Sequence, residues 1–193
     1  MGDVLRQRIR QDRFESPLQE AVLNLMVAAE HVRDLMERTC TEAGISGSQY
    51  NVLRILRGVH PAGHPRCEIA RRMIERAPDV TRLIDRLEKQ GLVERDRTER
   101  DRRLSISRIT AAGLELVARL EPHLRQAYRI LSERLSPDDC LELSRICEGI
   151  YAESESQPLP DCSETSESQD SAPELQDAEA GRLVEVGGRH ESR

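Results

Sequence analysis

The stretch IARRMIERAPDVTRLIDRLEKQGLVERDRTERDRRLSISRITAAG, residues 69–113, changes its periodicity along its length. A short helix is predicted from Cys67 to Ile74, with Ile69, Ala70 and Met73 on its apolar side. A brief turn leads to Pro78. From Pro78 to Gln90, Val80, Leu83, Ile84 and Leu87 recur at helical spacing, while Asp79, Arg82, Asp85, Arg86 and Lys89 take the opposite face. Gly91 suits the stop. The pattern then turns to strands. Leu92–Arg95 forms one short run, and Leu104–Ile109 alternates apolar and polar residues as its partner. RDRTERDRR (95–103), between them, is too charged to bury. Two short helices, a tight turn and a charged hairpin describe a helix-turn-helix followed by a wing.

That order of parts suits duplex DNA. The major groove admits one helix and displays a donor and acceptor code. The helix beginning at Pro78 would enter it with Thr81, Arg82 and Arg86 outward. Thr81 suits a phosphate or a thymine methyl; Arg82 and Arg86 suit guanine edges or phosphates. The wing suits the neighbouring minor groove, which is narrow and strongly negative in A·T-rich DNA. Arg100, Arg102 and Arg103 are its candidates, with Asp101 placed to hold a neighbouring Arg in an aimed conformation.

Outward from this segment the chain is helical. Ser16-Pro17-Leu18-Gln19 has the form of a helix start, with Ser16 as cap, Pro17 in the first turn and Gln19 at the capping-box position. Leu18, Val22, Leu25, Met26, Ala29, Val32 and Met36 then follow at helical spacing. Ser46 and Gln49 offer a second capping box before a short helix holding Tyr50, Leu53, Ile55 and Leu56. VHPAGHPR (59–66), with two Pro and one Gly, reads as a loop. Thr110 caps a long helix, and Ser136-Pro137-Asp138-Asp139 starts another. Residues 1–15 are polar and Arg-rich, and are expected to be a loose arm. The fold class is therefore mainly α with a small β-hairpin wing. The winged helix-turn-helix (59–110) is flanked by helical regions at 16–58 and 111–151, and an acidic, disordered tail is expected over 152–193.

Composition agrees once charge is placed. The chain of 193 residues has 29 Lys+Arg, 35 Asp+Glu and a net charge of −6, and Lys89 is its one Lys. The tail from Ala152 carries 11 acids against 3 Arg, whereas residues 66–110 carry 13 basic against 9 acidic residues. Positive charge is thus local to the DNA-facing segment. Arg is favoured there because its planar fork matches phosphates and bases. Aromatic residues are 2% of the chain, so the core must be aliphatic. No run of 18 apolar residues suggests a membrane span, and the N-terminus lacks a signal-peptide core. Five Cys without regular spacing do not form a disulfide framework, and a reducing cytoplasm fits best.

The segment resembles the winged-helix core of MarR-family regulators. Asp101, Arg103, Ile109, Thr110 and Gly113 hold the places of the family's wing signature, Ile109 standing where Leu is usual. Val80-Thr81-Arg82-Leu83, Leu87-Glu88 and Gly91-Leu92-Val93 match its recognition-helix pattern, and the flanking helices extend the similarity over most of residues 17–151. The resemblance implies a homodimer on a pseudo-palindromic operator, dimerised through its first and last two helices. It also implies a repressor released by a small ligand, often phenolic, or by oxidation of a Cys.

No motif marks the ligand cleft. His31, Met36, Tyr50 and Arg54 are candidates, though structural roles suit each of them. Cys40, Cys67, Cys140, Cys147 and Cys162 raise a redox-sensing alternative, for which Cys67, next to Arg66 at a helix start, fits best. His60, His64 and Cys67 carry zinc-ligand chemistry, but the loop is short and no fourth ligand is evident, so neither a metal nor a cofactor is expected. No Gly-rich phosphate loop or nucleophile elbow marks an enzyme. A winged-helix protein-interaction module is the remaining alternative, and the Arg-rich wing argues against it.

Overall fold

A computed structural model of the chain describes residues 2–75, 79–96 and 105–152. In chain order its elements are α1 (Asp3–Ile9), α2 (Pro17–Glu42), α3 (Gly47–Arg57), β1 (His64–Pro65), α4 (Arg66–Arg72), α5 (Val80–Lys89), β2 (Val93–Asp96), β3 (Ile106–Ile109), α6 (Ala111–Ser132) and α7 (Pro137–Tyr151). Among the described residues the strands form one antiparallel sheet in the order β1-β3-β2. Val93 lies opposite Ile109 and Asp96 opposite Ile106. The fold is mainly α with a small winged sheet, as the alternating patterns predict.

The helix ends follow from local chemistry. The Ser16 hydroxyl accepts the Gln19 N–H at 3.2 Å, and Pro17, which has no N–H to leave unpaired, occupies the first turn. The reciprocal arm of this box is displaced by one residue, because Gln19 Oε1 accepts from the Glu15 N–H at 2.7 Å. At α3 the box is complete. Ser46 Oγ accepts the Gln49 N–H at 3.2 Å, and Gln49 Oε1 accepts the Ser46 N–H at 2.9 Å. Ser136 and Asp139 do the same for α7.

The core is aliphatic, as the composition requires. Val52, Leu53 and Leu56 of α3, Ile69 of α4 and Leu87 of α5 are fully buried, and Val93, Ile109 and Val117 close the cluster from the sheet and α6. α3 is the hub, since it packs on α2, α4, α5, α6 and β3. Gly113 permits the approach of α6 to β2. A Cβ there would lie 2.3 Å from the Leu92 carbonyl oxygen, inside any tolerable contact. The Thr110 hydroxyl ties the same corner, donating to the Gly91 carbonyl at 2.7 Å and accepting the Gly113 N–H at 3.1 Å.

Three segments differ from the sequence reading. Residues 3–9 form α1 rather than a loose arm. Leu5 is buried and Arg6 lies 5.8 Å over the Phe14 ring, so tertiary contacts order a run too polar to show a periodic signal. The 59–66 loop contains β1, whose His64 and Pro65 pair with Ser107 and Ile106 of β3. Gly63, at φ +78°, permits this approach, since a Cβ there would lie 2.4 Å from the Ser107 carbonyl oxygen. Two residues are too short to show alternation. Finally, α5 begins at Val80, later than predicted, with Asp79 as its cap, because one Asp79 carboxylate oxygen accepts the Arg82 N–H.

Candidate nucleic-acid interface

The exposed face of α5 is the candidate surface. Val80, Ile84 and Leu87 anchor the helix in the core, which turns the opposite side to solvent. Arg82 and Arg86 are exposed there, and Thr81 is half-buried. Among the described residues Arg86 has no ion-pair partner, whereas Arg82 has one. Arg82 Nε lies 2.8 Å from Asp79 Oδ2, and the Arg82 backbone N–H donates to Asp79 Oδ1 at 2.9 Å. One carboxylate therefore caps the helix and holds the first outward-facing arginine.

Arg95 of β2 fixes α5 from the side. Its side chain is only 16% exposed and its guanidinium pairs with Asp85. It also lies 3.6 Å from Glu88 Oε2 and 3.5 Å from the Thr81 carbonyl oxygen. Thr81, Asp85 and Glu88 form one stripe along two turns, so a single residue of the wing grips the helix along its length. Burial on one side and multiple acceptors on the other make this pair stronger than a surface ion pair. Arg66, at the first position of α4, donates to Thr81 Oγ1 at 3.0 Å and adds a further exposed guanidinium beside the helix start. At the base of the wing, Arg108 of β3 pairs with Asp96 of β2 at 3.1 Å.

Of the residues expected to meet DNA, Thr81, Arg82 and Arg86 are thus brought together on one helix. Pro78, Arg100, Asp101, Arg102 and Arg103 lie outside the described residues. Sequence reasoning missed Asp79, Arg66 and Arg95. The first had a legible signal, since an Asp directly before a helical run is an N-cap candidate. The other two are tertiary contacts with no local signature.

A cavity of about 330 Å³ lies between α2, α3, α6 and the segment after α4. Met36, Tyr50, Arg54, Ile74, Leu124 and Tyr128 are in its wall. Met36, Tyr50 and Arg54 were among the sequence candidates for a ligand cleft; His31 is not among the lining residues. Tyr128 Oη donates to Met36 Sδ at 3.1 Å, and burial pushes the Tyr50 phenol above its ordinary pKa, so Tyr50 is neutral at physiological pH. Next to Ile74, Glu75 accepts from Arg33 Nε of α2 at 2.6 Å, an ion pair that raises the arginine's pKa.

The cysteines divide by environment. Cys40 is fully buried, and burial, with Glu37 adding, pushes its thiol to about 11. It is therefore a protonated core residue with little nucleophilic character. Cys67, expected from the sequence as a sensing thiol outside any disulfide, is instead disulfide-bonded, whereas Cys140 and Cys147 are free. Among the described residues no three His, Cys, Asp or Glu side chains are grouped to hold a metal, and no helix is long and apolar enough to cross a membrane.

Comparison with known proteins places this geometry. The model of the MarR family matches residues 45–105, from just before α3 to just before β3. A MarR transcription factor from Planctomyces limnophilus is 41% identical and superposes with a TM-score of 0.56, over 70% of this chain and 98% of that one. A MarR family transcriptional regulator from Streptomyces coelicolor, solved in complex with DNA, is 26% identical with a TM-score of 0.64, over 76% of this chain and 92% of its own. AbsC, from the same organism, shares the fold at 21% identity, with a TM-score of 0.65 over 76% of this chain and 100% of that one. No curated protein matches the sequence. With 41% identity over a match that spans nearly the whole of the Planctomyces protein, the chain belongs to the MarR family of transcriptional regulators.

Proposed function

We propose that the chain is a sequence-specific DNA-binding repressor that acts as a homodimer. The observation that carries this reading is α5, a helix held rigidly by the core and by Arg95, with Arg82 and Arg86 on its open face. A rigid helix with outward guanidiniums suits the major groove, where Arg pairs with guanine O6 and N7. That the Streptomyces coelicolor relative was solved in complex with DNA supports DNA as the partner. Arg66 adds a positive group for the flanking phosphates. In this reading Arg100, Arg102 and Arg103 enter the minor groove, with Asp101 aiming them.

The homodimer is supported by apolar side chains left open on the flanking helices. Leu18 and Met26 of α2 are 72% and 64% exposed, and Leu141 and Ile150 of α7 are 72% and 62% exposed. α7 buries none of its residues within the chain. A two-fold partner would cover these faces and set the two α5 helices about 10 base pairs apart, one per half-site.

Release by a small ligand is supported by the cavity beneath Ile74. Ile74 leads towards α5, and the neighbouring Glu75 is tied to α2 through Arg33. An aromatic guest between Met36, Tyr50 and Tyr128 would press on the chain that feeds the recognition helix. Cytoplasmic residence, beside the chromosome, follows from the same reading.

The test is an anisotropy titration of the full chain against an operator selected from a random duplex pool, at two salt concentrations. Affinity that falls steeply with salt and resists non-specific competitor is the expected result. Salt-independent or absent binding would sink the reading and favour a protein-interaction module.

A further inference from the structure

Resting on that DNA-binding reading, we infer that Asp79 is a specificity-determining residue that acts through Arg82. Its carboxylate makes two contacts to one residue. Oδ1 accepts the Arg82 backbone N–H at 2.9 Å, and Oδ2 pairs with Arg82 Nε at 2.8 Å. The first contact caps α5; an N-cap needs nothing more. The second is additional and has a directional result. The contact is an ion pair that draws the guanidinium toward Asp79, and among the described residues no side-chain N–H of Arg82 has a hydrogen-bond acceptor. The Arg82 side chain is 78% exposed, so those groups face solvent. Those N–H groups remain for guanine O6 and N7, on a guanidinium whose position is set by the charge of Asp79.

Asp79 also acts on DNA directly. Its side chain is 40% exposed at the tip of the helix, where the phosphate backbone passes beside a helix entering the groove. A carboxylate there repels phosphate on any sequence and is offset only where Arg82 finds its base. It therefore weakens binding to wrong sequences more than binding to the right one, which is how a repulsive element raises discrimination. As an exposed ion pair it adds little to folding stability. Its effect lies in aiming one side chain and penalising unspecific approach.

The test uses Asp79→Asn in the full chain. Asn caps a helix about as well as Asp, so the fold and its melting temperature are retained while the charge and the Nε pairing are removed. An operator is selected from a random duplex pool with the wild-type protein, and affinity is then measured for it and for the same duplex scrambled. The expected result is a rise in affinity for the scrambled duplex and a fall of about tenfold in the operator-to-scrambled ratio, within the range of one good base contact. In an Arg82→Ala background, Asp79→Asn should leave the ratio unchanged while still raising scrambled binding. An unchanged ratio in the single variant, a uniform loss on both duplexes, or the same fall in the Arg82→Ala background would each overturn the inference. Wild-type protein that selects no consensus at all would instead overturn the DNA-binding reading beneath it.

Discussion

The hub around α3 and the flank formed by α2 and α7 contain similar aliphatic residues and use them in opposite ways. In the hub, Leu53, Leu56, Ile69 and Leu87 are completely enclosed. In the flank, Leu18, Met26, Leu141 and Ile150 stand more than 60% exposed. The hub needs nothing from outside to satisfy its apolar surface. The flank leaves a stripe that single chains rarely leave in water, because contiguous apolar patches favour association. The difference teaches that α5 is positioned by contacts within the chain, while the apolar surface of α2 and α7 is left uncovered by the chain itself.

Three experiments probe that contrast. The largest effect is expected from Leu53→Ala. A fully enclosed Leu loses its transfer energy and leaves a cavity, costing about 2–5 kcal/mol in a denaturant titration. If the variant were as stable as wild type, the hub would not be the folding core. Next comes Leu141→Glu on α7. It should leave the folded monomer intact, since Leu141 is 72% exposed. Sedimentation should show loss of the dimer, and operator affinity should fall about 100-fold as the second half-site becomes a separate binding event. A variant that still sediments as a dimer would move the interface elsewhere. The smallest effect concerns the start of α7. Hydrogen bonds from Ser136 hold the Asp139 carboxyl below its ordinary pKa of 3.8. A group with a depressed folded pKa stabilises above its unfolded pKa, and that contribution is lost as pH falls through the folded value. Helical signal lost by circular dichroism below pH 3.8 should therefore shrink in Asp139→Asn, with no change near neutrality.

Much of the fold was legible because it rests on local rules. Ser16, Ser46, Thr110 and Ser136 all cap the helices that follow them, and the Val80, Ile84, Leu87 stripe is the buried face of α5. These signals act within one or two turns, so the order of residues suffices to expose them. α1 and β1 were not legible. The first is ordered by Leu5 and an Arg6–Phe14 contact, the second by a neighbour more than 40 positions away. The candidate site divides in the same way. Thr81, Arg82 and Arg86 follow from the outer face of a helix. Arg95 holding Asp85 and Arg66 holding Thr81 span 10 and 15 positions and become visible only when strand and helices are packed together. Sequence periodicity locates a reading surface, but the braces behind it are non-local.

The hydroxyl of Thr110, shared between the end of α5 and the start of α6, has a mechanical consequence. α6 has 22 residues, which makes it about 33 Å long. Pivoted at Thr110, a tilt of roughly 5° moves its far end by about 3 Å over that length. The arrangement is a reduction gear. A coarse displacement at the distal end of the long helix would arrive at α5 as a small rotation, about 5° for about 3 Å.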